Sequence, residues 1–264
     1  MPKSYKIVAW NVDKYDNNVN KWLSKYLDEN KPDVVFLSET KIKSMGLYFD
    51  DIQDYEYINN FHKPYNIHGV AMLIKSGISY KELDSDIDSP VRRDTHADNP
   101  SCGRIISVCI NNKFNVVGTY VPNSGRNNDQ IKIDYRINSW DPALYQYLDK
   151  CSKKKPTLWI GDINIAPKEI DVSNPTTMKR YAGFRPEERK SFEIYEKEGW
   201  IDVWRRDNPN KKKYTWLSYN RRPDYGMRLD NMIASKKLAK YVIETSIIDA
   251  DYSDHIPVCC TIRI

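Results

Sequence analysis

Short apolar runs that each stop at a carboxylate or an amide constrain this chain more than any other feature. Lys6–Trp10 ends at Asn11 and Asp13, Asp33–Leu37 at Glu39, and Thr157–Ile160 at Asp162 and Asn164. Asp230 lies in the run that begins at Arg228, and Asp254-His255 precede the last run, Ile256–Ile262. Runs of this length, rich in Val, Ile and aromatics, read as strands. Residues two apart on a strand face one side, so Asn11 with Asp13, and Asp162 with Asn164, can each converge on a point. A single polar residue at such a place usually marks a strand reaching the surface. Five such places in one chain point to a shared site, although spacing alone leaves open whether they meet. Adjacent strand residues face opposite sides, so Asp254 and His255 can serve one site only if a loop or bend lies there.

The remaining pattern is mixed. Gly69–Ile74 reads as a strand, and Ile105–Ile110 with Phe114–Val121 reads as a hairpin turning at Asn111-Asn112. Helical spacing spans Asn18–Asn30, with Asn18 as the expected N-cap, and Asp134–Lys150. A third helix is expected over Pro186–Gly199, opened by Pro-Glu-Glu and closed by a glycine. Asp84–Asn99 is polar and charged and reads as a surface loop. Many apolar strands with interspersed helices suggest an α/β sandwich of two packed sheets covered by helices. No linker, repeat or low-complexity tract breaks the chain, so one domain over residues 1–264 is expected.

Composition excludes several classes. Mean hydropathy is −0.71 and no apolar run reaches membrane-span length, so no membrane partner is expected. The N-terminus carries neither a signal-peptide nor a transit-peptide pattern, which leads us to expect an intracellular protein. The five cysteines form no CxxC pair, so reduced, partly buried thiols are expected rather than a zinc or redox motif. Trp10, Trp22, Trp140, Trp159 and Trp200 read as core. His62, His68 and His96 read as surface or packing residues. The formal charge of +5 gives weak support for a polyanionic partner. Arg205-Arg206, Lys211–Lys213 and Arg221-Arg222, interleaved with Tyr214, Trp216, Tyr219 and Tyr225, fit a nucleic-acid surface as well as they fit a solvated basic loop. Lys41 and Lys43 fit phosphate contacts and solvated lysines equally well.

If the strand-end residues meet, they supply what metal-assisted phosphodiester hydrolysis needs. Mg²⁺ prefers hard oxygen ligands, commonly one or two carboxylates plus water and phosphate. An Asp beside an Asn can accept a proton from water and orient it. A His held by an Asp favours its cationic form and can stabilise charge developing on a phosphate.

At these residues the chain resembles the exonuclease III-like AP endonucleases of the endonuclease/exonuclease/phosphatase superfamily. The resemblance runs through Ala9–Asp13, Leu37–Lys41, Gly69–Ala71 and Tyr120–Arg126. It continues through Gly161–Ala166, Ala182–Arg189, Tyr214–Trp216, Arg228–Asp230 and Ser253–Pro257. It implies a four-layer α/β sandwich of the DNase I-like kind, two packed mixed sheets flanked by helices. It implies Glu39 as principal metal ligand, with Asp13 and Asp254 near the metal and Asn11 in support. Asp162 resembles the group that activates water, with Asn164 beside it. His255, oriented by Asp230, resembles the phosphate-contacting histidine, and Tyr120 and Asn123 resemble further phosphate contacts. Arg126 resembles a residue that reaches DNA, and Trp216, Met227 and Leu229 take the places of the abasic-sugar pocket.

The chain also departs from that pattern. Ser38 stands where Gln is common, Lys14 follows Asp13 where Gly is usual, and Ile67-His68 replace Tyr-Ser. Met227 replaces a Trp and Leu217 an aromatic. A different path after the first strand and a more permissive pocket are therefore expected. The implied activity is that of a monomeric, Mg²⁺-dependent AP endonuclease, with Mn²⁺ as an alternative metal. It would cut double-stranded DNA 5′ to abasic or damaged sites to leave a 3′-hydroxyl. Exonuclease or 3′-phosphodiesterase activity would accompany it. The rival readings are a same-fold enzyme acting on RNA or a small phosphorylated molecule, and a non-catalytic nucleic-acid-binding module. The complete set of catalytic residue types speaks against the second.

Overall fold

β1 (Ser4–Asn11) is buried on both faces, which is why it reads as an unbroken apolar run. Tyr5, Ile7 and Ala9 enter one core, and Val8 and Trp10 enter another. The structure, a computed structural model, describes residues 2–42, 49, 52–61, 68–84, 87, 103–125, 129–218 and 225–264.

The first sheet runs in the order β13 (Val242–Ile247), β14 (Val258–Arg263), β1, β2 (Val34–Ser38), β4 (Gly69–Lys75), β3 (Tyr55–Phe61). β1 and β2 are parallel, and α1 (Asn17–Asn30) makes the crossover between them. The second sheet runs β5 (Tyr80–Glu82), β6 (Ile105–Ile110), β7 (Phe114–Tyr120), β8 (Thr157–Asp162), β12 (Asp230–Ala234), β9 (Ile201–Asp202). Its parallel pair is β7 and β8. The helical crossover there is α2 (Gln130–Tyr135), a π-turn (Arg136–Trp140) and α3 (Asp141–Lys154). A small ribbon pairs β10 (Trp216–Leu217) with β11 (Gly226–Met227).

Three apolar layers separate four layers of secondary structure. Ile7, Phe36, Met72, Val108, Val116 and Ile160 pack between the sheets. Val19, Leu23 and Leu27 of α1 pack on Val8, Trp10 and Val35 of the first sheet. On the far side, Leu144 and Leu148 of α3 and Phe192 of α4 (Pro186–Lys197) pack on Val117, Trp159 and Ile233. The two-sheet sandwich expected from the sequence is therefore present.

Local chemistry explains the element ends, with two corrections. Asp16, not Asn18, caps α1, its carboxylate accepting from the Asn18 and Val19 N–H groups at 2.9 and 3.0 Å. A charged cap opposite the helix N-terminus gains from the dipole as well as from the hydrogen bonds. The helix expected over Asp134–Lys150 is longer and is interrupted by the π-turn. The 105–121 hairpin turns through Asn111–Lys113: Asn111 and Asn112 both take positive φ (46° and 55°), and the Lys113 N–H bonds the Ile110 carbonyl at 2.8 Å. The expected loop over Asp84–Asn99 falls largely outside the described residues; within it, Ile87 is buried.

Gly118 marks where the sheets approach each other. A Cβ there would lie 2.2 Å from the Phe36 ring of the facing sheet. Gly118→Ala is expected to cost about 1–3 kcal/mol through overpacking. A thermal melt reads this directly, and an unchanged melting temperature would mean that the ring has room to yield.

Strand register places the polar residues at one edge. Asp162 pairs with Tyr120 on one side and with Asp230 on the other. Asn11 pairs with Ser38, the residue before Glu39. The site therefore lies beyond the carboxyl ends of both parallel pairs.

Candidate active site

Asn11 joins the two sheets at this edge. Its Nδ2 donates to Glu39 Oε1 and to Asp162 Oδ2, each at 2.9 Å. Asn11 and Asp162 are both buried. β1 stops at Asn11 and β8 at Asp162, so strand alternation is not what aligns the paired residues. Asp13 and Asn164 instead take left-handed conformations, with φ of 55° and 47°. In each case the second residue's backbone N–H donates to the side chain of the first. Asp13 N donates to Asn11 Oδ1 (3.0 Å), and Asn164 N donates to Asp162 Oδ1 (2.9 Å). Such local side-chain bonds make Asn and Asp tolerant of left-handed turns.

Asp162 lies on the floor of the site. Besides Asn11, its Oδ2 accepts from Asn164 Nδ2 at 3.3 Å. Asn164 Nδ2 also donates to the Val121 carbonyl (2.8 Å), and Asn164 Oδ1 accepts from Asn123 Nδ2 (3.3 Å). Burial pushes the Asp162 carboxyl well above the usual carboxylate range, His255 opposes this, and Asp230 and Glu39 add to it. His255 Nδ1 lies 2.7 Å from Asp230 Oδ2, and Nε2 lies 4.0 Å from Asp162 Oδ2. Burial alone would lower the imidazole, but Asp230 and Asp162 outweigh it and hold His255 well above its ordinary value. The imidazolium thus donates to Asp230 and turns its other N–H toward the cavity.

The predicted bend is present at Asp254-His255, between the bends over 251–254 and β14. Ser253 builds it: its hydroxyl donates to the Asn11 carbonyl (2.8 Å) and accepts from His255 N (3.1 Å). Trp10 Nε1 donates to the His255 carbonyl at 3.1 Å. Asp254 is exposed and accepts from Trp216 Nε1 at 3.0 Å.

A cavity of about 740 Å³ opens over these groups, lined by Glu39, Tyr120, Asn123, Asp162, Asn164, Asp254 and His255. Trp216, Met227 and Leu229 form an apolar wall, resting on Ala166, Val172 and Phe184. Burial and the nearby Glu39 charge raise the Tyr120 phenol well above its ordinary value, against the opposing pull of Arg104, so it stays a donor.

Asp13 stands apart from Asp162. It is exposed and lies 2.8 Å from Lys41 Nζ, which is also 3.0 Å from Glu39 Oε2. Glu39 and Asp13 thus bring hard carboxylate oxygens to one cation, the Lys41 ammonium, and oxygen donors of this type are those a divalent ion prefers. The ligand atoms of Asp162, Asp230 and His255 lie within 4.8 Å of one another and could also hold a metal ion. The hydrogen bond from Nδ1 to Asp230 already occupies one of those imidazole nitrogens, which favours the Glu39 side.

The basic stretch is mostly structural. Arg205 is buried against Asp171, and Arg206 pairs with Asp207 and donates to the Ala239 and Val242 carbonyls. Lys213 donates to the Ile247 carbonyl, and Tyr214 is core. Tyr219, Arg221 and Arg222 lie outside the described residues, as do Arg126, His62, His96, Lys43 and Cys102. The other four cysteines are buried and free. Trp10, Trp140, Trp159 and Trp200 are buried as expected, and Trp22 is half-buried.

Sequence reasoning missed some residues that build the site. Thr215 Oγ1 accepts from the Leu229 and Asp230 N–H groups, both at 2.9 Å, and so fixes the start of β12. Arg180, Tyr181 and Arg185 line the cavity. Arg185 lies within the Ala182–Arg189 motif and Arg180 and Tyr181 just before it, which was the available signal.

The fold and this edge define a class: a two-sheet hydrolytic sandwich whose buried Asp and Asp-bound His share one cavity with Glu39. Residues 8–255 match the Endonuclease/Exonuclease/phosphatase family, and the chain belongs to it. It is an enzyme of that family, a hydrolytic nuclease. It is 35% identical over 272 residues to a DNA-(apurinic or apyrimidinic site) endonuclease of Dictyostelium discoideum, covering 96% of this chain and 69% of that protein. It is 33% identical over 273 residues to an exodeoxyribonuclease of Bacillus subtilis (strain 168), covering 98% and 100%. The crystal structure of an AP endonuclease from Leishmania major superposes with a TM-score of 0.84 at 25% identity, covering 99% of this chain and 88% of that one.

Proposed function

We propose that this enzyme is a class II AP endonuclease of DNA base-excision repair, which hydrolyses the phosphodiester 5′ to an abasic site. The observation that carries the reading is the buried Asp162, held by two amides and facing an Asp230-bound His255 at the base of a half-apolar cavity. Asp162 accepts a proton from water while Asn164 keeps the carboxylate and the water aligned. Water oxygen bonds to phosphorus as the bond to the 3′-oxygen breaks. The products are a 3′-hydroxyl and a 5′-sugar-phosphate. His255, Tyr120 and Asn123 donate to the phosphate oxygens, where charge grows in the transition state. Glu39, with Asp13 and Asp254 nearby and Asn11 in support, would hold Mg²⁺ or Mn²⁺. Held there, such an ion would supply Lewis-acid stabilisation of charge on the phosphate and on the leaving oxygen.

Trp216, Met227 and Leu229 form the wall for the extruded abasic sugar; the DNA-contacting role that the resemblance implies for Arg126 falls on a residue outside those described. Methionine in that wall is adaptable, which favours a permissive pocket. Exonuclease or 3′-phosphodiesterase action would use the same groups. The substrate is double-stranded DNA, and the protein works as an intracellular monomer. No helix among the described residues is long and apolar enough to cross a membrane.

A duplex carrying one tetrahydrofuran residue tests this. Cleavage 5′ to the analogue is expected with Mg²⁺, with loss in EDTA and recovery when Mg²⁺ or Mn²⁺ is added back. Folded protein that leaves the duplex intact with every divalent metal would overturn the reading and move the search to RNA and small phosphorylated molecules.

A further inference from the structure

A buried cation lies behind the turns that carry Asn123 and Asn164. Arg136 opens the π-turn between α2 and α3 and is 4% exposed. Its Nη1 donates to the carbonyls of Pro122 (2.9 Å) and Asn164 (3.3 Å), and its Nη2 donates to that of Ile163 (3.1 Å). Its Nε lies 2.6 Å from Asp141 Oδ1, and Ser191 Oγ on α4 donates to the other oxygen of Asp141 at 2.9 Å.

Each part of this arrangement has a physical reason. Three carbonyl oxygens turn their negative ends to one point, which suits a cation. The planar guanidinium fork reaches all three while keeping Nε for a carboxylate. The π-turn brings the carboxylate into place. In an α-helix, residues five apart lie about 140° apart around the axis. Here the Asp141 N–H bonds the Arg136 carbonyl, closing the i→i+5 ring that brings the two side chains to one face. The carbonyl-bearing residues lie past the ends of β7 and β8; Ile163 N–H still bonds the Leu229 carbonyl (3.1 Å), but the Pro122, Ile163 and Asn164 carbonyls accept from Arg136. Asn164 sits at positive φ with its N–H bonded to Asp162 Oδ1 (2.9 Å), and its carbonyl is left to accept from Arg136 (3.3 Å).

We propose that Arg136 is a positioning residue for catalysis. It fixes the Pro122–Gly125 turn against the Asp162–Asn164 turn, and so sets where Asn123 and Asn164 meet the phosphate. The proposal rests on the phosphodiesterase reading above. Arg136 touches neither substrate nor the reacting atoms; it acts through the backbone of the residues that do.

The test compares Arg136→Lys with Leu148→Ala, a core truncation in α3 that lowers stability without touching either turn. Arg136→Lys keeps the buried charge but reaches fewer carbonyls. Its kcat on the abasic duplex is expected to fall roughly 10- to 100-fold, with KM changed by less than about twofold. Leu148→Ala, assayed below its melting temperature, keeps kcat. Hydrogen exchange supplies a second readout: the Asn164 amide, bonded to Asp162 Oδ1, exchanges faster in Arg136→Lys and not in Leu148→Ala. If Arg136→Lys does not fold, the double variant Arg136→Gln/Asp141→Asn removes both buried charges together and carries the same readouts. Wild-type kcat together with wild-type exchange at Asn164 would overturn the proposal. So would an equal loss of kcat in Leu148→Ala. If the wild-type protein cleaves no abasic DNA, the endonuclease reading fails on its own. Exchange at Asn164 then decides the positioning role without reference to substrate.

Discussion

Asp162→Asn is expected to lower kcat on an abasic duplex by roughly 10²- to 10⁴-fold, the loss of a general base, with little change in duplex affinity. The substitution is nearly isosteric, and its one oxygen can still accept from the Asn11 and Asn164 amides, while the new NH2 faces the Asn164 N–H that Oδ1 accepted from. Single-turnover cleavage and a binding titration measure the two quantities separately. A variant that cuts at more than a tenth of the wild-type rate would remove Asp162 from the role of base.

The pH profile follows from the same pair. Asp162 must be ionised to act, and burial raises its pKa, so the acid limb of kcat/KM lies above the ordinary aspartate value of about 3.9. His255 must stay protonated, and Asp230 and Asp162 raise its pKa, so the alkaline limb lies above the ordinary histidine value of about 6.5. Asp230→Asn removes one of those charges and is expected to move the alkaline limb downward.

Asp171→Asn is the second change with a large expected effect, this time on stability. Asp171 is fully buried and accepts from both Arg228 Nε (2.7 Å) and Arg205. Arg228 Nη2 lies 2.5 Å from Asp202, and its guanidinium stacks on Trp204 at 5.3 Å. Removing the Asp171 charge leaves two buried guanidiniums short of a counter-ion. The expected cost is about 3–5 kcal/mol, because an uncompensated buried charge is more harmful than no pair at all. For a chain of this size, that lowers the melting temperature by roughly 6–20 °C. Burial would raise the Asp171 carboxyl, but Arg228 and Arg205 outweigh it and hold the group below its ordinary value. Its stabilisation is therefore present above the unfolded aspartate pKa and is lost as pH falls through the depressed one. A melt of Asp171→Asn matching the wild type would show that water or another group compensates the cations. The network also reaches the site. The Arg228 N–H donates to the Asp171 carbonyl (2.8 Å), and Val172 bridges to Met227 of the apolar wall.

Central strands were legible in the sequence for a simple reason. β1, β2, β4 and β8 are buried on both faces, so selection for burial leaves continuous apolar runs. β3, β13, β5 and β9 were not read from the sequence, and all four are sheet edges. An edge strand has one wet face and keeps charges to discourage further pairing, as Glu244 does in β13. Such a segment has no pattern to tell it from a loop. The π-turn was invisible for a related reason: an extra residue in one turn preserves the apolar spacing on either side.

The sequence by itself determined which chemistry the chain could carry. A carboxylate or amide at the end of nearly every central strand, in a fixed order with Ser253-Asp254-His255, is a property of residue types and spacing along the chain. Only the tertiary structure decided which of them meet. Asn11 bonds Asp162 across 151 positions, and His255 bonds Asp230 across 25, through sheet register and sheet packing rather than local spacing. The tertiary structure also turned Asp13 away toward Lys41 and Arg205 inward toward Asp171. A charge is solvated or buried according to what folds over it, and residues distant in sequence supply that cover.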